Sequence, residues 1–242
     1  MNDNLPTDPY ADAAEDPRGR EPVFNMPGVV TAAILLMAAI EAVKTYLLSD
    51  ADIGRLMLEA AVIPARYTET PVDGAWFWSP VTYSLVHGGW LHLVINAFWL
   101  AAFGAIVARR IGTIRFVLFW LLSAVASAAL FVALHRGEIL FMVGASGVVS
   151  AMMAAAARFA FQPHYGFNRS LAHLAPRLPI ARALTNRSVV SFLAVWFGVN
   201  MLAAFGVAPG AGEATIAWEA HVGGFLFGFI AFGLFDPLPA RS

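Results

Sequence analysis

Apolar residues in this chain gather into six runs separated by polar segments: residues 29–48, 75–108, 116–134, 139–157, 188–212 and 214–235. Each run is long enough, with modest tilt, to cross a hydrocarbon core ~30 Å thick. None alternates apolar and polar positions as the strands of a membrane barrel do. The pattern predicts an all-α, polytopic membrane protein, a six-transmembrane-helix bundle, over residues 28–236. Residues 1–27 are rich in Asp, Glu and Pro and too poor in apolar side chains to fold alone, so a disordered tail is expected there. Residues 237–242 make a short C-terminal tail. The first apolar run starts only at Val29 and no basic region opens the chain, so no cleaved secretory signal is expected.

Composition points to lipid as the solvent. Hydrophobic residues make up 59% of the 242 and charged residues only 13%, against roughly one half and one quarter in soluble domains. Fifteen basic residues against sixteen acidic ones leave a net charge of -1, which excludes a nucleic-acid partner. With no cysteine, disulfides, thiol nucleophiles and thiolate metal sites are excluded. Six spans put both termini on one side, together with eleven arginines; Arg55, Arg66 and Arg136 lie on the other, and Lys44 falls inside the first run. That asymmetry predicts cytoplasmic termini. The outer segment 49–74 is amphipathic and reads as interfacial, with Trp76, Phe77 and Trp78 as an aromatic anchor. The segment 162–187 is Arg-rich and expected to lie on anionic lipid.

Polar side chains inside spans are costly, so each asks for a reason. Glu41 and Lys44 are three apart and can pair on one helix face. His87, His92 and His221 fall within the runs, as do Asn96 and Asn200. His92 and Asn96 are four apart and share a helix face; alone, they are as well explained by hydrogen bonds between helices. Ser146 sits in Gly144-Ala145-Ser146-Gly147 at the outer start of the fourth run. A serine at a helix N-terminus suits acyl transfer, because free N–H groups favour a developing oxyanion. The plain alternative is a packing stripe of small residues, Ser146, Ser150, Ala154 and Ala157. His221 shares a face with Gly224 and Gly228, which permit close approach to that stripe. Alternating spans then bring Ser146, His221 and the His92–Asn96 pair to one depth: a nucleophile, a base and oxyanion donors. Other catalytic signatures are missing: no His-Glu-x-x-His, no paired aspartates within spans, no Gly-rich phosphate loop, and Val148 breaks a Gly-x-Ser-x-Gly elbow.

The segments WSPVTYSLVHGGWLHLVINAFWLAAFG, MVGASGVVSAMM and EAHVGGFLFGF together resemble the rhomboid family of intramembrane serine proteases. The resemblance implies a Ser–His dyad without an acid. Ser146 matches the nucleophile, His221 the general base, His92 and Asn96 the oxyanion-stabilising pair. Gly144 and Gly147 match the glycines flanking the nucleophile, and His87 a more structural histidine. It implies no cofactor and no metal, transmembrane proteins as substrates, the lipid bilayer as surroundings, and the plasma membrane of a bacterium. Three positions depart from frequent family usage: Ser79 follows Trp78 where Arg is common, Ala108 precedes Arg109 where Glu is common, and Ser150 stands where an aromatic Tyr often stacks on the base. Ser150 predicts either closer packing of the fourth and sixth spans or cover of His221 by Phe225. Two other readings remain: a non-catalytic rhomboid-like protein that binds transmembrane helices in the same groove, and a transporter with the three histidines on its path.

Overall fold

The computed structural model describes residues 26–69, 71–161, 172–205 and 217–238. Residues 1–25 of the expected N-terminal tail, part of the Arg-rich segment, the end of the fifth run, the start of the sixth and most of the C-terminal tail lie outside the described residues. The described chain is helical, and no strand forms among its residues; Val62 and Met142 make an isolated antiparallel bridge with hydrogen bonds of 3.0 and 3.1 Å.

Helix α1 (Gly28–Tyr46) buries Val30, Met37, Glu41 and Lys44 on one face and turns Leu35, Leu36, Val43 and Tyr46 outward. The segment expected to be an interfacial loop is built of two helices, α2 (Asp50–Ala60) and α3 (Pro64–Thr68). Ser49 caps α2, accepting the Asp52 N–H at 3.3 Å, and Asp50 and Asp52 sit at the positive end of its dipole. The buried Arg66 donates to the carbonyls of Leu58 and Ala61 and to the Asp73 carboxylate. Asp73 in turn caps α4 (Gly74–Thr82), accepting from the Trp76 N–H at 2.8 Å.

The second apolar run is not one helix. It breaks after α4 and a single 3-10 turn (Tyr83–Leu85) at the poor helix formers Gly88 and Gly89. Helix α5 (Trp90–Trp99) follows, then a π-helical stretch (Leu100–Gly104) and α6 (Ala105–Leu134). These form one 45-residue run, Trp90–Leu134, that Gly112 divides into equal halves. Gly112 has φ 76°, a turn conformation open to glycine at little cost. Each half suffices to cross a ~30 Å core. Only α1 and this run are long and apolar enough, among the described helices, to cross a membrane by length and composition.

The fourth run departs most from expectation. Residues 139–145 are non-helical, and α7 (Ser146–Ala157) spans only 12 residues. Gly144 causes the late start: its φ of 118° lies outside helical space, and its N–H donates to the Tyr83 carbonyl at 2.9 Å. Irregular backbone at membrane depth is tolerated where protein surrounds it, and Met142, Gly144 and Ala145 are buried. A short α8 (Ile180–Ala183) leads into α9 (Arg187–Ala204). The last helix, α10 (Trp218–Ala231), ends in a 3-10 turn (Phe232–Leu234).

Packing centres on α7, where every residue from Gly147 to Ala157 is buried. A Cβ on Gly224 would strike the Gly147 carbonyl, and one on Gly228 would lie 2.7 Å from the carbonyl carbon of Ala151. The α7–α10 contact is therefore backbone on backbone. It runs along Gly147 and Ala151, one position round from the expected stripe of Ser146 and Ser150. Ala154 and Ala157 instead pack in a cluster with Phe225 and Phe229. Outward faces carry Leu91, Val94, Ile95, Phe98, Val195, Val199, Leu226 and Ile230, all exposed. So much large apolar surface suits lipid contact.

Candidate active site

Ser146 is the first residue of α7, where the leading N–H groups of a helix have no partner within it. His221 occupies the first turn of α10, 75 residues later in sequence. The backbone contact between these helices brings the two side chains together: His221 Nε2 lies 2.8 Å from Ser146 Oγ. The other ring nitrogen, Nδ1, lies 2.6 Å from Asn200 Oδ1 on α9. Both Ser146 and His221 are half-buried, so the pair is reachable from outside the bundle.

His92, in the first turn of α5, accepts the Gly88 N–H on Nδ1 at 3.3 Å. Its ring packs over Gly144, so closely that a Cβ there would sit 2.7 Å from Cε1. Asn96 is buried one turn on, and its amide donates to the His92 carbonyl at 2.9 Å. His92 and the serine segment are thus neighbours.

His87 is fully buried, but it lies in the break before α5 rather than inside a span. The glycines that follow it end the helix there. Its Nε2 accepts the Ala145 N–H at 3.4 Å, and its ring meets that of His92 edge to face at 5.2 Å. Its carbonyl accepts from Lys44 Nζ, which also pairs with Glu41 at 2.7 Å. The charged pair in α1 therefore braces the turn that carries His87.

Gly144 and Gly147 flank Ser146 for different reasons. Gly144 supplies the positive φ, whereas a Cβ on Gly147 would strike Ser127 on α6 and approach the Ala220 carbonyl at 3.2 Å. Phe225 does not cover His221. It stacks on Trp196 of α9 with centroids 4.1 Å apart. Two parts of the site were not read from the sequence: the contact of Asn200 with His221, and that of Ser127 with Gly147 and Gly224. A lone amide in an uncharged run was the available signal for Asn200. Ser127 carried none, since serine is common among the small residues of packed spans.

The Rhomboid domain model matches residues 75–236, well over half of the chain, and the chain belongs to the rhomboid family, whose members are multi-pass integral membrane proteins. Among its relatives is the Rhomboid protease GlpG of Enterobacter sp. (strain 638), 27% identical over 165 residues, which are 68% of this chain and 50% of that protein. The chain thus spans about half the length of that curated relative.

Proposed function

We propose that this protein is an intramembrane serine endopeptidase acting on the transmembrane segments of other membrane proteins. The observation that carries the reading is the 2.8 Å approach of His221 Nε2 to Ser146 Oγ at the N-terminus of α7. Family membership and the relative named as a protease support it. In this mechanism His221 takes the proton from Ser146 Oγ as the oxygen attacks the scissile carbonyl carbon. The oxyanion is held by the Ser146 N–H with His92 and Asn96; each such donor contributes roughly 10²–10³ in rate. His221 then gives its proton to the leaving amine, and water repeats the sequence on the acyl-enzyme.

The bundle is read as six spans: α1, the two halves of the run divided at Gly112, α7, α9 and α10. The arginine asymmetry supports cytoplasmic termini, in the plasma membrane of a bacterium, with Ser146 near the opposite face. Proteolysis of a reporter carrying one transmembrane helix tests the proposal. Ser146→Ala and His221→Ala are each expected to abolish cleavage, and the double variant to be no worse, because the pair acts as a unit. Turnover by Ser146→Ala near the wild-type rate refutes it.

A further inference from the structure

We infer that Asn200 is a positioning residue for His221, which makes the working unit Ser–His–Asn. The inference rests on the protease reading above. Asn200 is 7% exposed and sits on α9, a helix separate from those that supply the serine and the histidine. Its carbonyl oxygen lies 2.6 Å from His221 Nδ1, while its amide nitrogen donates to the Trp196 carbonyl at 2.8 Å in the same helix.

That second bond fixes which way the amide faces. Turned over, the amide would set its oxygen against the Trp196 carbonyl oxygen, two acceptors with no proton between them. Oδ1 therefore faces the imidazole. Oδ1 can only accept, so Nδ1 carries the hydrogen. In a neutral imidazole that leaves the lone pair on Nε2, aimed at Ser146 Oγ. The amide thus selects the tautomer in which His221 can act as a base. When Nε2 takes the serine proton, the cation keeps its Nδ1–H on Oδ1, and no proton passes to Asn200.

Neighbouring packing holds the device in place. Trp196, whose carbonyl anchors the amide, stacks on Phe225 of α10, one turn beyond His221. The hydrogen bond at His221 and the ring stacking one turn beyond it join α9 to α10. An aromatic lid over His221 is then unnecessary, which accounts for a residue as small as Ser150 on α7.

The test compares wild type, Ser146→Ala, Asn200→Leu and Asn200→Asp in detergent. A fluorophosphonate probe reads the rate of serine labelling against pH. Cleavage of the single-helix reporter gives kcat and KM, and thermal unfolding checks the fold. Asn200→Leu is expected to lose about tenfold to hundredfold in labelling rate and in kcat, with KM unchanged, as a misaligned base does. Asn200→Asp keeps an oxygen acceptor towards Nδ1 while giving up the bond to the Trp196 carbonyl. It is expected to recover most of the rate at alkaline pH, with the acid limb of its profile raised by about one unit or more, since a carboxylate favours the imidazolium. His92, the other titratable ring near His221, is the same in every variant. Labelling of Asn200→Leu at the wild-type rate overturns the inference. So does an acid limb of Asn200→Asp that coincides with wild type, and this outcome decides alone if Asn200→Leu fails to fold. Labelling that survives Ser146→Ala removes the protease reading and this inference with it; Ser146-dependent labelling that ignores Asn200 removes the inference only.

Discussion

Gly224→Ala adds one methyl group at the closest approach of α7 and α10. The new Cβ would meet the Gly147 carbonyl head on, with the carbonyl carbon at 2.7 Å and Ser127 Oγ at 2.6 Å. Backbone cannot rotate away, and Ser127 is fully buried. Restoring ordinary contact at about 3.4 Å from the carbonyl oxygen and carbon requires the helices to part by roughly 1–1.5 Å. Overpacking of this kind costs about 1–3 kcal/mol, and alanine's better helix propensity returns about 1 kcal/mol. A net loss of up to about 2 kcal/mol is expected. The larger effect falls on the site. Ser146 lies beside Gly147 and His221 three residues before Gly224, so parting the helices stretches a 2.8 Å hydrogen bond beyond useful length. A misplacement of 1 Å can cost about 10²-fold in rate. Gly198→Ala is the control: the same methyl on α9 meets nothing within 4 Å. It is expected to gain up to about 1 kcal/mol and leave labelling unchanged. Thermal unfolding in detergent and fluorophosphonate labelling read both variants. If Gly224→Ala matches Gly198→Ala in melting temperature and in labelling rate, the backbone-on-backbone account of this interface is wrong.

Two further outcomes follow from ion pairs at the ends of the bundle. The Arg110 side chain is fully buried, binds both oxygens of Asp236 at 2.9 Å, and donates to the carbonyls of His173 and Ala175. Asp236→Ala strands that cation and is expected to cost about 3–5 kcal/mol in unfolding assays; a loss below about 1 kcal/mol would show that water reaches Arg110. At the other end His135, in the turn after α6, lies 3.0 Å from Glu219 and 3.1 Å from Glu138. Desolvation pulls its pKa down, but the two carboxylates outweigh it and hold the pKa above the usual 6.5. A raised pKa stabilises the fold fully below pH 6.5, and the contribution is lost as pH climbs through the raised value. Wild type should therefore lose more stability than His135→Gln between pH 6 and about pH 8.5 in thermal scans; equal losses refute the linkage.

The sequence carried those parts of the site that repeat a short local pattern. Ser146 between its glycines, His92 four before Asn96, and His221 three before Gly224 are legible because helical spacing puts each set on one face. Glu41 and Lys44 were legible as a pair for the same reason, though not their use in bracing His87. Hydropathy overran the helices wherever irregular backbone is itself apolar. Residues 139–145 read as helix, yet Gly144 and the Met142–Val62 bridge hold them extended, and the break at Gly88 and Gly89 vanished inside an uncharged run. Asn200 could not be assigned, because its role depends on how α9 is rotated against α10. Nothing in a chain of alanines, valines and aromatics sets that rotation without the packing of Trp196 on Phe225. The one-residue offset of the α7 stripe has a similar origin: Gly147 and Ala151 are no smaller a choice than Ser146 and Ser150 until both backbones are in place.

The Arg110–Asp236 pair also sets a timetable for biogenesis. Its members stand 126 residues apart. At ~5–20 residues per second, a ribosome that has just made Arg110 needs roughly 6–25 s more to supply its counter-ion. Through that interval the guanidinium must stay in the hydrated headgroup layer, since it has no protein anion to enter with. Asp236 arrives fifteen residues after His221 and five after the end of α10. The step that lets the arginine sink therefore coincides with the one that brings His221 to Ser146, and on the protease reading proposed above a nascent chain would be hydrolytically silent until its last helix has been threaded into the bilayer.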